Sequence, residues 1–136
     1  MNDDRTGIGH FMHNALRIWA GLFFWIHGVQ KLFGVLGREE AVEFGTRMGT
    51  AGLLEFFGGF LILMGLFTRP VALILALEMV LAYYWVHLPR SVWPIMNGGE
   101  RPLLFMAIFV FLAANGPGAF SLDGLIRAWR REKTVG

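Results

Sequence analysis

Four apolar stretches of about helix length, three of which contain ionisable residues, constrain this chain most. They cover residues 14–33, 51–67, 70–87 and 101–115. The first contains Arg17, His27 and Lys31, the second Glu55 and the third Glu78. A charged side chain near the centre of a bilayer costs at least about 2.5–3.5 kcal/mol on insertion scales, so such residues seldom lack a role. The pattern predicts a membrane domain with a polar interior.

The composition supports this interpretation over a soluble bundle. Of the 136 residues, 55% are hydrophobic and 16% are charged, whereas about a quarter of the residues of a typical soluble domain are charged. A soluble helix bundle needs a polar face on each helix, and the second and third stretches have none. We therefore predict an all-α fold: a transmembrane four-helix bundle that forms a single membrane domain over residues 1–136.

The distribution of basic residues predicts that both termini are cytoplasmic and that the chain crosses the membrane several times. The polar start has no cleavage pattern, so the first helix is expected to be a retained signal anchor, with Asn14 as its N-cap. Residues 116–136 form a cytoplasmic tail, and its basic segment 125–133 is predicted to be an amphipathic helix on the membrane surface. Cations assigned to the inner side are Arg5, Arg17, Arg69, Arg127, Arg130, Arg131 and Lys133, against Lys31, Arg38, Arg47, Arg90 and Arg101 outside.

The buried ionisable residues are the candidate site. At helical periodicity Arg17, His27 and Lys31 share one side of the first helix, where they can line a pocket for an anionic or carbonyl-bearing ligand. Arg17 and Lys31 can alternatively extend to opposite interfaces. A buried carboxylate must pair, face water or hold its proton; by depth, Glu55 suits Lys31 or His27, and Glu78 suits His27 or Arg17. A network of ion pairs that only fixes helix packing is the other interpretation.

Other chemistries have weaker support. The chain has no cysteine, so it cannot itself perform thiol–disulfide exchange. His27 and His87 stand at unrelated positions, and His10 and His13 lack a third ligand, so we predict neither haem nor a metal site. No phosphate-binding loop or nucleophile motif is present, and a nucleic-acid partner is not expected.

Four segments in order resemble the DoxX family. They are HGVQKL at 27–32, EFFGGFLILMGLFTRPVAL at 55–73, NGGE at 97–100 and GPGAFSLDGL at 116–125. The resemblance implies a four-helix integral protein of the bacterial inner membrane with a redox role. Because the family includes the DoxD subunit of a thiosulfate:quinone oxidoreductase, the resemblance also implies a quinone as electron acceptor. Any thiol chemistry would have to reside on a soluble redox partner or on the substrate.

We therefore expect an oxidoreductase subunit that binds a quinone or similar ligand within the bundle. The alternatives are a non-catalytic membrane adaptor for a soluble redox protein and a carrier of a small solute. The glycines of the second stretch can serve an internal helix contact or a homodimer. The residues assigned to catalysis are His27, Glu55 and Glu78, and those assigned to ligand binding are Arg17, Lys31 and Glu100, at the mouth of the last stretch.

Overall fold

The computed structural model describes residues 7–135, and every regular element in that range is helical. The all-helical prediction is therefore confirmed for these residues. Arg5, which the charge distribution assigned to the cytoplasmic side, lies outside the described residues. The helices are α1 (Gly7–Phe33), α2 (Arg47–Met64), α3 (Thr68–His87), α4 (Pro94–Asn97), α5 (Glu100–Asn115) and α6 (Leu122–Val135).

The long helices start earlier than predicted. The prediction of Asn14 as a helix N-cap is wrong, because α1 already begins at Gly7 and Asn14 is buried within it. Helix α2 starts at Arg47, since the Thr46 hydroxyl accepts the Gly49 N–H at 3.0 Å and caps the first turn. It ends at Met64, because Gly65 adopts a left-handed conformation that stops the helix.

Two helices within the described range, α2 and α3, are long and apolar enough to cross a membrane. They have 18 and 20 residues. Helix α1 is longer but carries Arg17 and Lys31, which lower its hydropathy. Helix α5 has 16 residues, which at 1.5 Å per residue span about 24 Å, less than the roughly 30 Å of a hydrocarbon core.

Glycines bring α1 and α2 into backbone contact. A Cβ atom at Gly21 would overlap the backbone of Leu63, and one at Gly28 would overlap that of Phe56. On the other side of the contact, a Cβ at Gly59 would overlap the backbone of α1. Close approach through small residues is the usual way in which apolar helices pack in membranes. The stripe of glycines therefore fixes the register of α1 against α2.

Helices α3 and α5 form a second packed pair, and aromatic side chains fill the space between the two pairs. Phe24 of α1 meets Phe109 of α5 edge to face, with ring centroids 4.8 Å apart. Gly58 of α2 faces the side chain of Leu75 on α3. The core between the pairs is therefore apolar, and any polar group inside it must find its partners nearby.

Candidate functional site

Arg17, a buried polar residue of α1, lies at the end of the bundle that holds the α2–α3 turn. Its guanidinium is 1% exposed and donates to two carbonyl oxygens at the end of α2, those of Ile62 at 2.9 Å and Leu63 at 2.5 Å. It also donates to the carbonyl oxygens of Pro117 at 2.7 Å and Phe120 at 2.5 Å, which follow α5. Four of the five N–H groups of an arginine are thereby used on the backbone. A ligand could accept at most one.

Hydrogen bonds of the segment Ser121–Gly124 hold the C-terminal tail at the end of the bundle where Arg17 lies. The Asp123 carboxylate accepts the backbone N–H groups of Phe67 and Thr68, both at 2.9 Å, and so caps the start of α3. The Asp123 N–H in turn donates to the Gly65 carbonyl at 2.9 Å. Asn14 completes the junction by accepting the Phe120 N–H at 3.0 Å. The GPGAFSLDGL motif therefore joins α1, the α2–α3 turn and α6.

A second polar cluster lies about 21 Å further along α1, at 1.5 Å per residue. Lys31 Nζ donates to Glu55 Oε1 at 2.5 Å, and this pairing confirms one of the two partners that depth predicted for Glu55. Glu55 is 5% exposed, and its second oxygen has no hydrogen-bond partner among the described residues. The site therefore contains an ion pair in which Glu55 Oε2 accepts no hydrogen bond from a described residue.

Glu55 lies in a π-helical segment, Leu54–Gly58, within α2. A π-turn places an extra residue in one turn of a helix and often occurs at functional sites. Here the extra residue occurs where the Gly28 backbone of α1 contacts Phe56. The apolar periodicity of α2 gives no sign of this segment, because nearly every neighbouring side chain is apolar.

Glu78 reaches the same interior from α3. It is 9% exposed, and neither carboxyl oxygen has a hydrogen-bond partner among residues 7–135. The expectation that Glu78 pairs with His27 or Arg17 is wrong, since Arg17 is held by carbonyls at the other end of α1. Gly58 of α2 faces Leu75 of α3. Glu55 lies about one turn before Gly58 and Glu78 about one turn after Leu75, so the two acids stand at the same level of this antiparallel pair. The structure thus couples two acids to one lysine.

His27 is half-buried beside this cluster. Its ring stands edge-on to Phe105 with centroids 6.3 Å apart, and the charges of Arg101 and Lys31 act on it. Phe105 also lines a cleft of about 530 Å³ along α5, whose polar rim includes the exposed Glu100. The lining residues of the cleft are Gly98, Glu100, Arg101, Leu104, Phe105 and Ile108.

Of the residues assigned to the site from sequence, the structure gathers Lys31, Glu55 and Glu78, with His27 alongside. Glu100 lies at the rim of the cleft, and Arg17 lies at the opposite end of α1. Arg101 was missed, although its place one turn before Phe105 on α5 could have indicated it. Within the described range, no three His, Asp or Glu side chains are grouped as a metal site.

His87 takes part in a hydrogen-bonded turn formed by the segment between α3 and α5. Its Nδ1 lies 2.9 Å from the Asn97 carbonyl oxygen. The Asn97 side chain donates to the Ser91 carbonyl at 2.7 Å and accepts the Gly99 N–H at 2.7 Å. The NGGE motif thus builds a turn to which the His87 ring is bonded.

Comparison with known proteins places the chain in a family. The DoxX family model matches residues 13–88. An uncharacterized protein of Haemophilus influenzae is 36% identical over 115 residues, which cover 79% of this chain and 85% of the relative. "Inner membrane protein YqjF" of Escherichia coli is 33% identical, and the match covers 81% of this chain and 88% of the relative.

One relative, from Bacillus subtilis, has a name that indicates a redox function. "Putative oxidoreductase CatD" is 29% identical over 127 residues, which cover 88% of this chain and 90% of the relative. No solved structure matches the chain. The family model spans more than half of the sequence and the inner-membrane relative covers most of both chains, so this chain belongs to the DoxX family of membrane proteins.

Proposed function

We propose that this DoxX protein is a redox subunit of the bacterial inner membrane that binds a quinone or similar ligand within a four-helix transmembrane bundle. Helices α1, α2, α3 and α5 form the bundle, with both termini in the cytoplasm and α6 on the membrane surface. The observation that carries the proposal is the coupled group of Lys31, Glu55 and Glu78, which leaves buried carboxyl oxygens without partners. Such groups are seldom retained in an apolar interior without a function.

The polar side chains fit the needs of a quinone headgroup. A quinone presents two carbonyl oxygens, which require hydrogen-bond donors, and when bound it supplies two-electron chemistry coupled to proton uptake. The Lys31 ammonium has three N–H groups and gives one to Glu55. Lys31 and His27 would therefore donate to the carbonyls, while Glu55 and Glu78 would hold and pass on protons.

The cleft along α5 offers a route for an amphiphilic ligand. Leu104, Phe105 and Ile108 make its wall apolar, and Glu100 and Arg101 make its rim polar. This combination suits a ligand with a polar headgroup and a hydrocarbon tail. Phe105 touches both the cleft and the His27 ring, which connects the rim to the interior.

The test is a ubiquinone and menaquinone titration of the purified protein in lipid nanodiscs, followed by tryptophan fluorescence. We expect saturable binding that is about 10-fold weaker in His27→Ala, which removes a donor to a quinone carbonyl, and in Glu55→Gln, which removes the carboxylate that holds Lys31 in place. The exposed loop residue Glu43 provides the matched control Glu43→Gln, which should bind like wild type. Absence of saturable binding, or equal affinity in all variants, would contradict the proposal.

A membrane adaptor for a soluble redox protein is the second candidate. It is favoured by apolar side chains in and beside α4 that point to the surface, among them Trp93, which is 65% exposed, and Ile95. Pull-down from mild detergent separates the two functions. A captured partner that contains flavin or cysteine, together with no quinone binding, would support the adaptor.

A further inference from the structure

We infer that Glu55 and Glu78 form a proton-binding site that carries one exchangeable proton, with Lys31 as its fixed positive charge. The site deepens the proposed function, because a redox subunit that reduces a quinone needs a group that delivers protons. It rests, however, on the protein alone and requires no bound quinone. The test for the bound proton can therefore fail while quinone binding is observed, and quinone binding can be absent while the bound proton is observed.

The charge balance of the cluster is the first argument. Glu55 and Glu78 stand at the same level of α2 and α3, since Gly58 faces Leu75. Among the described residues the cation bonded to this pair is Lys31, so two acids face one base. With both acids ionised the cluster would carry one uncompensated negative charge. An uncompensated charge in a protein interior costs several kcal/mol. One bound proton removes it.

Among residues 7–135, no cation other than Lys31 forms an ion pair with either acid. Arg17, on the same helix, is about 21 Å away along α1 and is bonded to four backbone carbonyls. Arg101 is exposed on α5, and the described residues show no ion pair between it and either acid. Lys31 itself is already committed to Glu55.

The unpartnered oxygens are the second argument. Glu55 Oε2 and both oxygens of Glu78 are buried and receive no hydrogen bond from any described residue. A proton on one carboxyl group turns it into an O–H donor, which an ionised neighbour can accept. Two acids that interact strongly titrate as a pair and take up their protons in separate steps. The pair can thus hold one proton and release it as a unit.

The position of Lys31 gives the pair a route to water. Lys31 lies two residues before the end of α1, and its side chain is 19% exposed. Its carbonyl oxygen accepts the Val42 N–H at 2.9 Å, so the loop after α1 folds back over this end of the site. Protons therefore exchange from the Lys31 end of the bundle, which is opposite to the Arg17 junction.

The test is infrared spectroscopy of the protein in nanodiscs without quinone. A protonated carboxyl group absorbs separately from a carboxylate, and its band shifts in heavy water. We expect one such exchangeable band at neutral pH, which Glu78→Gln or Glu55→Gln removes or displaces. The exposed-site control Glu43→Gln should leave it unchanged.

Lys31→Met sharpens the test, because it removes the positive charge and the hydrogen bond to Glu55 while both carboxyl groups stay in place. The cluster then needs two protons to be neutral, so we expect the area of the band to increase about twofold. A lysine with a merely structural role would not change the number of protonated acids. The inference is overturned if wild type shows no protonated carboxyl band, or if the band persists unaltered in both glutamine variants.

Discussion

Replacement of Arg17 by alanine is expected to destabilise the fold by about 3–5 kcal/mol. Hydrogen bonds to a charged group are worth about 1.5–3 kcal/mol each, so the four carbonyl contacts total about 6–12 kcal/mol before costs. Burial of the guanidinium offsets several kcal/mol of that sum. The remainder is a large part of the 5–15 kcal/mol by which most domains are stable.

Arg17→Lys separates the charge from the geometry. An ammonium group keeps the positive charge but presents its three donors from a single point. It cannot reach the end of α2 and the segment after α5 at once, as the guanidinium does through Ile62 and Phe120. We expect this variant to lose about half as much stability as Arg17→Ala, roughly 1.5–2.5 kcal/mol.

The measurement is reversible unfolding in mixed micelles of mild and denaturing detergent, followed by tryptophan fluorescence and circular dichroism. The free energy of unfolding is obtained by linear extrapolation. Arg127→Ala, which removes an exposed arginine from α6, is the matched control. It should change the stability by no more than about 0.5 kcal/mol.

Two results would refute this reasoning. One is a loss below about 1 kcal/mol for Arg17→Ala, a change close to that of an ordinary surface substitution. The other is an Arg17→Lys variant as stable as wild type, which would mean that charge alone is required. Either result would leave Arg17 free for the ligand-binding role that the sequence suggested.

Three further substitutions test the packing and the two polar junctions. Gly28→Ala should destabilise by at least about 1–3 kcal/mol in the same unfolding assay, because its Cβ would overlap the α2 backbone; Gly9→Ala, with open space around it, should be neutral or slightly stabilising. Asp123→Ala should cost about 1–2 kcal/mol through loss of the α3 cap, and Asp123→Asn less, as hydrogen exchange at the start of α3 would show. Asn97→Ala should lower the free energy of unfolding by about 2–4 kcal/mol and raise protease sensitivity between α3 and α5. Resistance to protease equal to that of wild type would contradict a stabilising role for the hydrogen bonds of Asn97.

Much of the helical framework could be predicted from the sequence. Apolar stretches without a polar face exclude a soluble bundle, and the predicted end of the last stretch at residue 115 matches the end of α5. The sequence also limited the partner of Glu55 to Lys31 or His27 by depth, and the structure selects Lys31. Each apolar stretch has a nearly fixed length and direction, so the position of a residue along the chain indicates its depth in the bundle.

Tertiary structure decided how the remaining buried polar groups are satisfied. Arg17 is held by backbone carbonyls, a class of partner that side-chain patterns cannot indicate because every residue carries one. The π-turn around Glu55 arises where the α1 and α2 backbones meet at Gly28. Among the described residues Glu78 has no hydrogen-bond partner, and Lys31 is bonded to Glu55 instead. The sequence alone therefore determined which apolar segments carry ionisable residues, and the packing of the helices determined which of these residues are buried and which keep unpartnered atoms.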